Sequence, residues 1–270
     1  MTAQEKLKSK LDKNLHICVG LDSDVNKIPK KLLSEKNPIL AFNKSIIETT
    51  YEYAAAYKIN FAFYEKDGLK GIENLISTKE LIPNNILTIA DAKRGDIGNT
   101  SQMYAEAVFG NMNFDSITIN PYMGFDSVEP FLKYSEKLIF ILSLTSNTGS
   151  EDFEKQTLSN GVFLYKRVIQ KVNEWNNLNN CGLVFGATNI SDLKESIPSF
   201  NNLPILLPGI GTQGGSLTEV VNLFKNADYS NFMLNVSRSL IYCDSSLDFL
   251  THIKSELIRL NQSIVQISSN

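Results

Sequence analysis

Eight short runs rich in apolar and β-branched residues recur along the chain, separated by stretches of helical periodicity. They are His16–Asp22, Tyr57–Phe63, Ile86–Lys93, Ser116–Asn120, Ile139–Thr145, Cys181–Ala187, Pro204–Ile210 and Phe232–Ser237. Between them, Phe42, Ile46 and Tyr53 fall on one helical face, as do Val162, Tyr165, Val168, Val172 and Trp175. Leu217, Val220 and Phe224 form a third stripe, and Leu250, Ile253, Leu257, Leu260 and Ile264 a fourth. Strands that alternate with helices build a parallel sheet, and a count of eight favours a closed α/β barrel, the (β/α)8 TIM barrel, over an open doubly wound sheet.

The length of 270 residues suits one such barrel as a single catalytic domain spanning 1–270. The connectors Asn176–Asn180 and Asn201–Asn202 are too short to divide domains. A net charge of −3 gives no long-range attraction to nucleic acid or to an anionic membrane. No apolar run reaches the roughly 18 residues that span a bilayer. The segment Met1–Asn14, rich in lysine and without an apolar signal core, reads as a short exposed helix. Cys18, Cys181 and Cys243 are odd in number and widely separated, which fits reduced thiols in a cytoplasm better than disulfides or zinc.

In a barrel of this type the active site forms at the C-terminal ends of the strands, so the residues ending each run carry the functional information. The third run closes with Asp91-Ala92-Lys93-Arg94-Gly95-Asp96-Ile97-Gly98-Asn99-Thr100. Side chains alternate along a strand, which puts Asp91 and Lys93 on one face, with Asp96 beyond the Gly95 break. Three charges at the mouth of an apolar sheet are costly unless they pair or do chemistry. One reading is an internal ion pair with Asp96 capping a helix at Ile97; the other is a reactive array. Lys58 and Asn60 share a face of the second strand, and a lysine inside an apolar strand needs an anionic partner, for which Asp91 is the candidate. The first run ends in Leu21-Asp22-Ser23-Asp24, either loop and cap acids or carboxylates placed for a sugar hydroxyl.

The seventh run passes into Pro208-Gly209-Ile210-Gly211-Thr212-Gln213-Gly214-Gly215 and the eighth ends Ser237-Arg238-Ser239. Closely spaced glycines let backbone N–H groups approach an anion ahead of a helix, and the arginine adds a bidentate donor beside them. Loops after strands seven and eight of such barrels often hold phosphate. The fifth run ends Thr145-Ser146-Asn147-Thr148-Gly149, either an ordinary turn or donors for the polar edge of a base. His16 starts the first strand at the far end and His252 lies on the last helix, so neither a Ser-His-Asp triad nor a metal-ligand spacing can be built from them.

The pattern Asp91-x-Lys93-x-x-Asp96-Ile97-Gly98-Asn99-Thr100 resembles the signature of the orotidine 5'-phosphate decarboxylase family. The likeness extends through Asp22, Lys58, the Ser146-Asn147 turn, the Pro208–Gly215 loop and Arg238, in order and over nearly the whole chain. Its length and the Ser146 turn resemble the longer bacterial branch, although Thr148 stands where that branch has proline. The resemblance implies decarboxylation of orotidine 5'-monophosphate (OMP) to UMP and CO2, the last step of pyrimidine synthesis, with no metal and no cofactor. It implies Lys93 as proton donor to C6, Asp91 as the carboxylate crowding the departing group, and Lys58 as the residue holding the array. It further implies a homodimer with shared sites, Asp96 and Thr100 acting in trans, Thr100 with Asp22 on the ribose. Ser146 is implied for the base, and Gln213, Gly214, Ser237 and Arg238 for the phosphate.

The chemistry agrees with that assignment. Loss of CO2 from C6 leaves a carbanion that no adjacent carbonyl can absorb, so the protein must stabilise it electrostatically and deliver a proton at once. A charged lysine between carboxylates suits that task, whereas a Schiff-base lysine must be neutral to attack. Three alternatives remain open at this point. They are a Mg²⁺-dependent lyase acting on sugar phosphates, a Schiff-base aldolase using Lys93 or Lys58, and a catalytically silent nucleotide-binding protein.

Overall fold

The structure is a computed structural model describing residues 1–210 and 216–269. Among these residues, eight strands close into one parallel barrel in sequence order. They are β1 (Ile17–Gly20), β2 (Ala56–Asn60), β3 (Leu87–Arg94), β4 (Ser116–Ile119), β5 (Leu138–Leu144), β6 (Cys181–Phe185), β7 (Ile205–Leu207) and β8 (Phe232–Val236). An initial helix, α1 (Ala3–Leu11), precedes the barrel. The outer helices are α2 (Pro38–Thr50), α3 (Gly68–Glu80), α4 (Gly98–Ala105), α5 (Phe125–Leu132), α6 (Leu164–Trp175), α7 (Ile190–Ser196), α8 (Leu217–Asn226) and α9 (Phe249–Ser269). The predicted alternation of strand and helix is therefore the observed one.

Burial on both faces explains why the strands read as continuous apolar runs. Outward-facing Ile17, Val19, Tyr57 and Ile59 meet the helices, whose apolar stripes, Phe42 and Ile46 among them, are fully buried against them. Each such side chain contributes roughly 1.5–3 kcal/mol of burial. Asn37 caps α2 by accepting the Leu40 N–H at 3.3 Å, and Ser216 does the same for α8 with the Glu219 N–H. Two predicted stripe residues fall outside their helices. Tyr53 lies in the turn that carries α2 into β2, and Val162 precedes α6.

Inward-facing residues fill the lumen in layers. Cys18, Ile89, Phe140, Val184, Leu206 and Met233 pack as one apolar cluster in its middle. Ala3 and Leu7 of α1 join that cluster from below, which corrects the sequence-based expectation of an exposed helix. An i, i+4 pair of small and branched apolar residues among lysines makes a stripe too narrow to stand out in the sequence, yet wide enough to plug the barrel floor. The Lys6–Asp115 ion pair at 2.6 Å and the Ala3 N–H bond to Glu136 O at 2.9 Å hold the plug in place.

Most strands are shorter than the runs predicted from the sequence, because their last residues leave the ladder to form the mouth of the barrel. β5 keeps its predicted length one residue earlier in the chain, and β3 extends one residue further, to Arg94. Its pairing with β4 shifts register between Ala90 and Arg94. That irregularity shapes the site.

Candidate active site

Above the apolar layer the lumen turns polar, because β1, β2, β3 and β8 each deliver a charged or amide side chain to the same level. The parallel register sets Gly20 beside Lys58 and Asn60 beside Asp91. Lys58, only 4% exposed, lies with Nζ 2.8 Å from Asp91 Oδ2 and 3.5 Å from Asp22 Oδ1. Lys93 Nζ lies 2.5 Å from Asp91 Oδ1, and its side chain is about half exposed to the mouth. The order is thus Asp22, Lys58, Asp91, Lys93, with charge alternating at each step. Lys58 meets the carboxylate partner expected for it.

Electrostatics maintain that order. Burial pushes the Asp91 carboxyl up, but Lys58 and Lys93 outweigh it and hold the group below the ordinary carboxylate range. Burial pushes the Lys58 ammonium down, and Asp91 with Asp22 overcome that and raise it above the usual lysine value.

The backbone at Lys93 is unusual. Its φ of 45° lies in the left-handed region, which costs a non-glycine residue about 1–2 kcal/mol. The bulge between β3 and β4 imposes it, and the Lys93 N–H is donated to Thr118 Oγ1 at 3.0 Å rather than to a strand carbonyl. The Thr118 hydroxyl lies 3.1 Å from Asp91 Oδ1. Arg94 points away from the lumen, pairs with Glu65 and stacks over Phe61 and Tyr104.

At the first strand end the two predicted acids separate. Asp24 caps a single 3-10 turn by accepting the Asn26 N–H, whereas Asp22 turns into the lumen. Ser237 Oγ donates to Asp22 Oδ2 at 2.7 Å. A side chain at Gly20 would collide with Ser237 Cβ at 2.6 Å, so glycine there permits the close approach of β1 and β8. At the fifth strand end, Glu154 accepts the Thr145 N–H at 2.6 Å and Asn189 Nδ2 donates to Thr145 O at 2.9 Å. Gly186 leaves room for the Ser146 backbone.

These groups surround a cavity of about 540 Å³ at the C-terminal mouth. Asp22, Lys58, Asp91, Lys93, Ser146, Ser237 and Arg238 all line it. The Arg238 carbonyl accepts the Tyr242 N–H at 3.2 Å, while its guanidinium has no hydrogen bond or ion pair among the described residues. Leu142, Val184 and Pro208 supply apolar wall, and Asn235 an amide whose Oδ1 has no partner among the described residues. Asp96 and Thr100 do not line the cavity. Asp96 Oδ1 accepts the Ile97 N–H at 2.9 Å, but Ile97 itself occupies the cap position of α4, so Asp96 is not the helix cap. Gln213 and Gly214 lie outside the described residues. His16 sits at the far end of the barrel, stacked on Phe232, and burial pushes its pKa down. Among the described residues no three His, Cys, Asp or Glu side chains come together as metal ligands.

The sequence reading missed Thr118, Glu154, Asn189 and Asn235. Asn235 carried a signal, being an amide two residues before Ser237 on the inward face of β8. Thr118 and the others carried none, since their partners are remote in the chain.

Fold and site define an α/β-barrel enzyme with an alternating array of charges at its C-terminal mouth, buried at Asp22, Lys58 and Asp91 and half exposed at Lys93. Residues 16–244 match the model of the orotidine 5'-phosphate decarboxylase / HUMPS family, and the chain belongs to that family. It is 46% identical over 275 residues to the orotidine 5'-phosphate decarboxylase of Flavobacterium johnsoniae, covering 99% of this chain and 98% of the relative. It is 48% identical over 255 residues to that of Christiangramia forsetii, covering 92% of each. Among solved structures, the OMP decarboxylase of Leishmania donovani superposes with a TM-score of 0.84 at 35% identity, covering 98% of this chain and all of that one.

Proposed function

We propose that this chain, acting as one catalytic unit, converts OMP to UMP and CO2 without metal or cofactor, with Lys93 as the proton donor to C6. The observation that carries the proposal is the Asp22–Lys58–Asp91–Lys93 series at the cavity floor. Asp91 presses a fixed negative charge on the substrate carboxylate. As the C6–carboxylate bond breaks, its electron pair stays on C6, and CO2 leaves. That pair then takes a proton from Lys93 Nζ, forming the C6–H bond of UMP and leaving a neutral amine. Lys58 keeps Asp91 ionised and in place. The position a divalent cation would take between the Asp22 and Asp91 carboxylates is held by its ammonium.

Asp22 serves the ribose, Ser146 the base, and Arg238 with Ser237, Gln213 and Gly214 the phosphate. Asp96 and Thr100 complete the site of a second copy in a homodimer. Supporting this, Ile97, Met103, Tyr122 and Met123 are exposed large apolar side chains in the segments that follow β3 and β4. Free cysteines at 18, 181 and 243 fit a reducing cytoplasmic setting. No described helix is long and apolar enough to cross a membrane.

Following the loss of orotate absorbance from OMP with and without EDTA tests the reading directly. Turnover unaffected by EDTA is the expected result. Turnover abolished by the chelator assigns the site to metal-dependent lyase chemistry instead, and covalent trapping by borohydride with substrate assigns it to an aldolase.

A further inference from the structure

We propose that Thr118 is a positioning residue: its hydroxyl, accepting the Lys93 N–H and donating to Asp91 Oδ1, locks the proton donor and the carboxylate into one rigid unit. The inference rests on the decarboxylase reading above.

Thr118 sits on the inward face of β4, only 1% exposed, and does not line the cavity, so it acts through its two partners. Its Oγ1 lies 3.0 Å from the Lys93 nitrogen and 3.1 Å from Asp91 Oδ1. The location is one where backbone pairing is interrupted. The β3–β4 register shifts between Ala90 and Arg94, and Lys93 adopts its left-handed φ inside that gap. The hydroxyl therefore takes the place of the strand acceptor that a regular ladder would offer to the Lys93 N–H.

The same hydroxyl fixes the carboxylate. Asp91 Oδ1 receives both Lys93 Nζ and the Thr118 O–H, while Oδ2 receives Lys58. Three donors from three strands leave the Asp91 plane little freedom. Neighbouring buried hydroxyls behave differently. Ser116 Oγ donates to Thr88 O and Ser143 Oγ to Val184 O, each closing a backbone carbonyl. Thr118 alone among these three reaches a charged group of the array.

Thr118→Val removes the hydroxyl and keeps the branched shape, so it separates the two roles. Folding is checked by circular dichroism and a thermal melt, and kcat and the affinity for UMP are then measured for wild type, Thr118→Val and Thr118→Ser. The expected result is a kcat about 10- to 100-fold lower in Thr118→Val, the scale of a sub-ångström to ångström misplacement of reacting groups. Affinity for UMP should stay within about twofold, since no binding contact is lost. Thr118→Ser, which restores the hydroxyl, should recover most of kcat. If Val is not tolerated in the lumen, Thr118→Ala against Thr118→Ser gives the same comparison. A variant without the hydroxyl that keeps wild-type kcat overturns the proposal. So does a parallel fall in kcat and UMP affinity that serine does not reverse, which marks a packing role. A wild-type protein that folds but does not turn over OMP overturns the decarboxylase reading itself, and this inference with it.

Discussion

Lys93 holds its ammonium 2.5 Å from Asp91 Oδ1 across a bulge that interrupts the pairing of β3 with β4. The strained backbone at Lys93 and the ion pair are parts of one arrangement, because the left-handed φ occurs at the residue whose side chain must reach back over Asp91. Local strain of this kind persists only where surrounding contacts over-determine it. Here the Asp91 carboxylate and the Thr118 hydroxyl supply those contacts.

The first expected outcome concerns the proton donor. Lys93→Ala should lower kcat by several orders of magnitude, since the other ammonium of the cavity, Lys58, is held between Asp22 and Asp91, while UMP still binds. Stopped-flow or long-time absorbance assays with OMP, together with calorimetric UMP titration, check both halves. Near-normal turnover in this variant removes Lys93 from the chemistry.

The buried ion pair makes a statement about pH. Asp91 is held below its unfolded value of about 3.9, so its stabilisation is present above that pH and lost as pH falls toward the depressed folded value. Lys58 is raised above about 10.4, so its stabilisation is present below that pH and lost only as pH rises through the folded value. The pair therefore contributes fully across about pH 5–9. Lys58→Met leaves a buried carboxylate without its main partner and should cost about 3–5 kcal/mol at pH 7. Denaturant melts should show the gap from wild type narrowing below about pH 4, where the unfolded chain takes up a proton that the paired Asp91 of the folded wild type does not. A gap that stays constant on acidification would mean the pair does not carry the difference.

Much of this could be read from the sequence, for identifiable reasons. Parallel strands buried on both faces leave unbroken apolar runs, so the eight strands were visible, and a lone lysine at position 58 inside such a run required an acid. The motif from Asp91 to Thr100 marked the mouth of the barrel. What could not be read depends on contacts between residues remote in the chain. Thr118 is 25 residues from Lys93, and a threonine is an ordinary residue in a strand. Glu154 fixes the Ser146 turn from nine residues away, out of a loop with no periodicity. The β3 bulge leaves no mark in the alternation pattern, since Asp91 and Lys93 still face one way.

Asp96 supplies a test of assembly. It follows Gly95 off the strand and does not line the cavity of its own barrel, which fits a role in a second copy. Lys93→Ala and Asp96→Ala proteins should each be nearly inactive alone. If subunits exchange freely, an equal mixture should recover about one quarter of wild-type activity, because half the dimers are mixed and each holds one intact site. No recovery despite demonstrated exchange places Asp96 in its own subunit's chemistry.

Arg238 offers the means to ask whether the phosphate drives catalysis as well as binding. Its guanidinium lines the cavity on the β8 exit and has no partner among the described residues, so its charge is available to an anion. A phosphate held there is remote from C6, yet gripping it would fix the base against Lys93 and Asp91 and exclude water from between them. Binding energy from the remote group is then expressed in the transition state. Orotidine lacking its phosphate should accordingly show a kcat/KM many orders of magnitude below that of OMP. Arg238→Ala should cost OMP turnover several kcal/mol in kcat/KM, the order expected when a charge-assisted contact to a buried anion is lost. On phosphate-free orotidine the same substitution should change little, because the contact it removes is not made. Parallel kcat/KM measurements on both substrates decide the matter: equal proportional losses would show that Arg238 supports the end of the barrel and does not grip the phosphate.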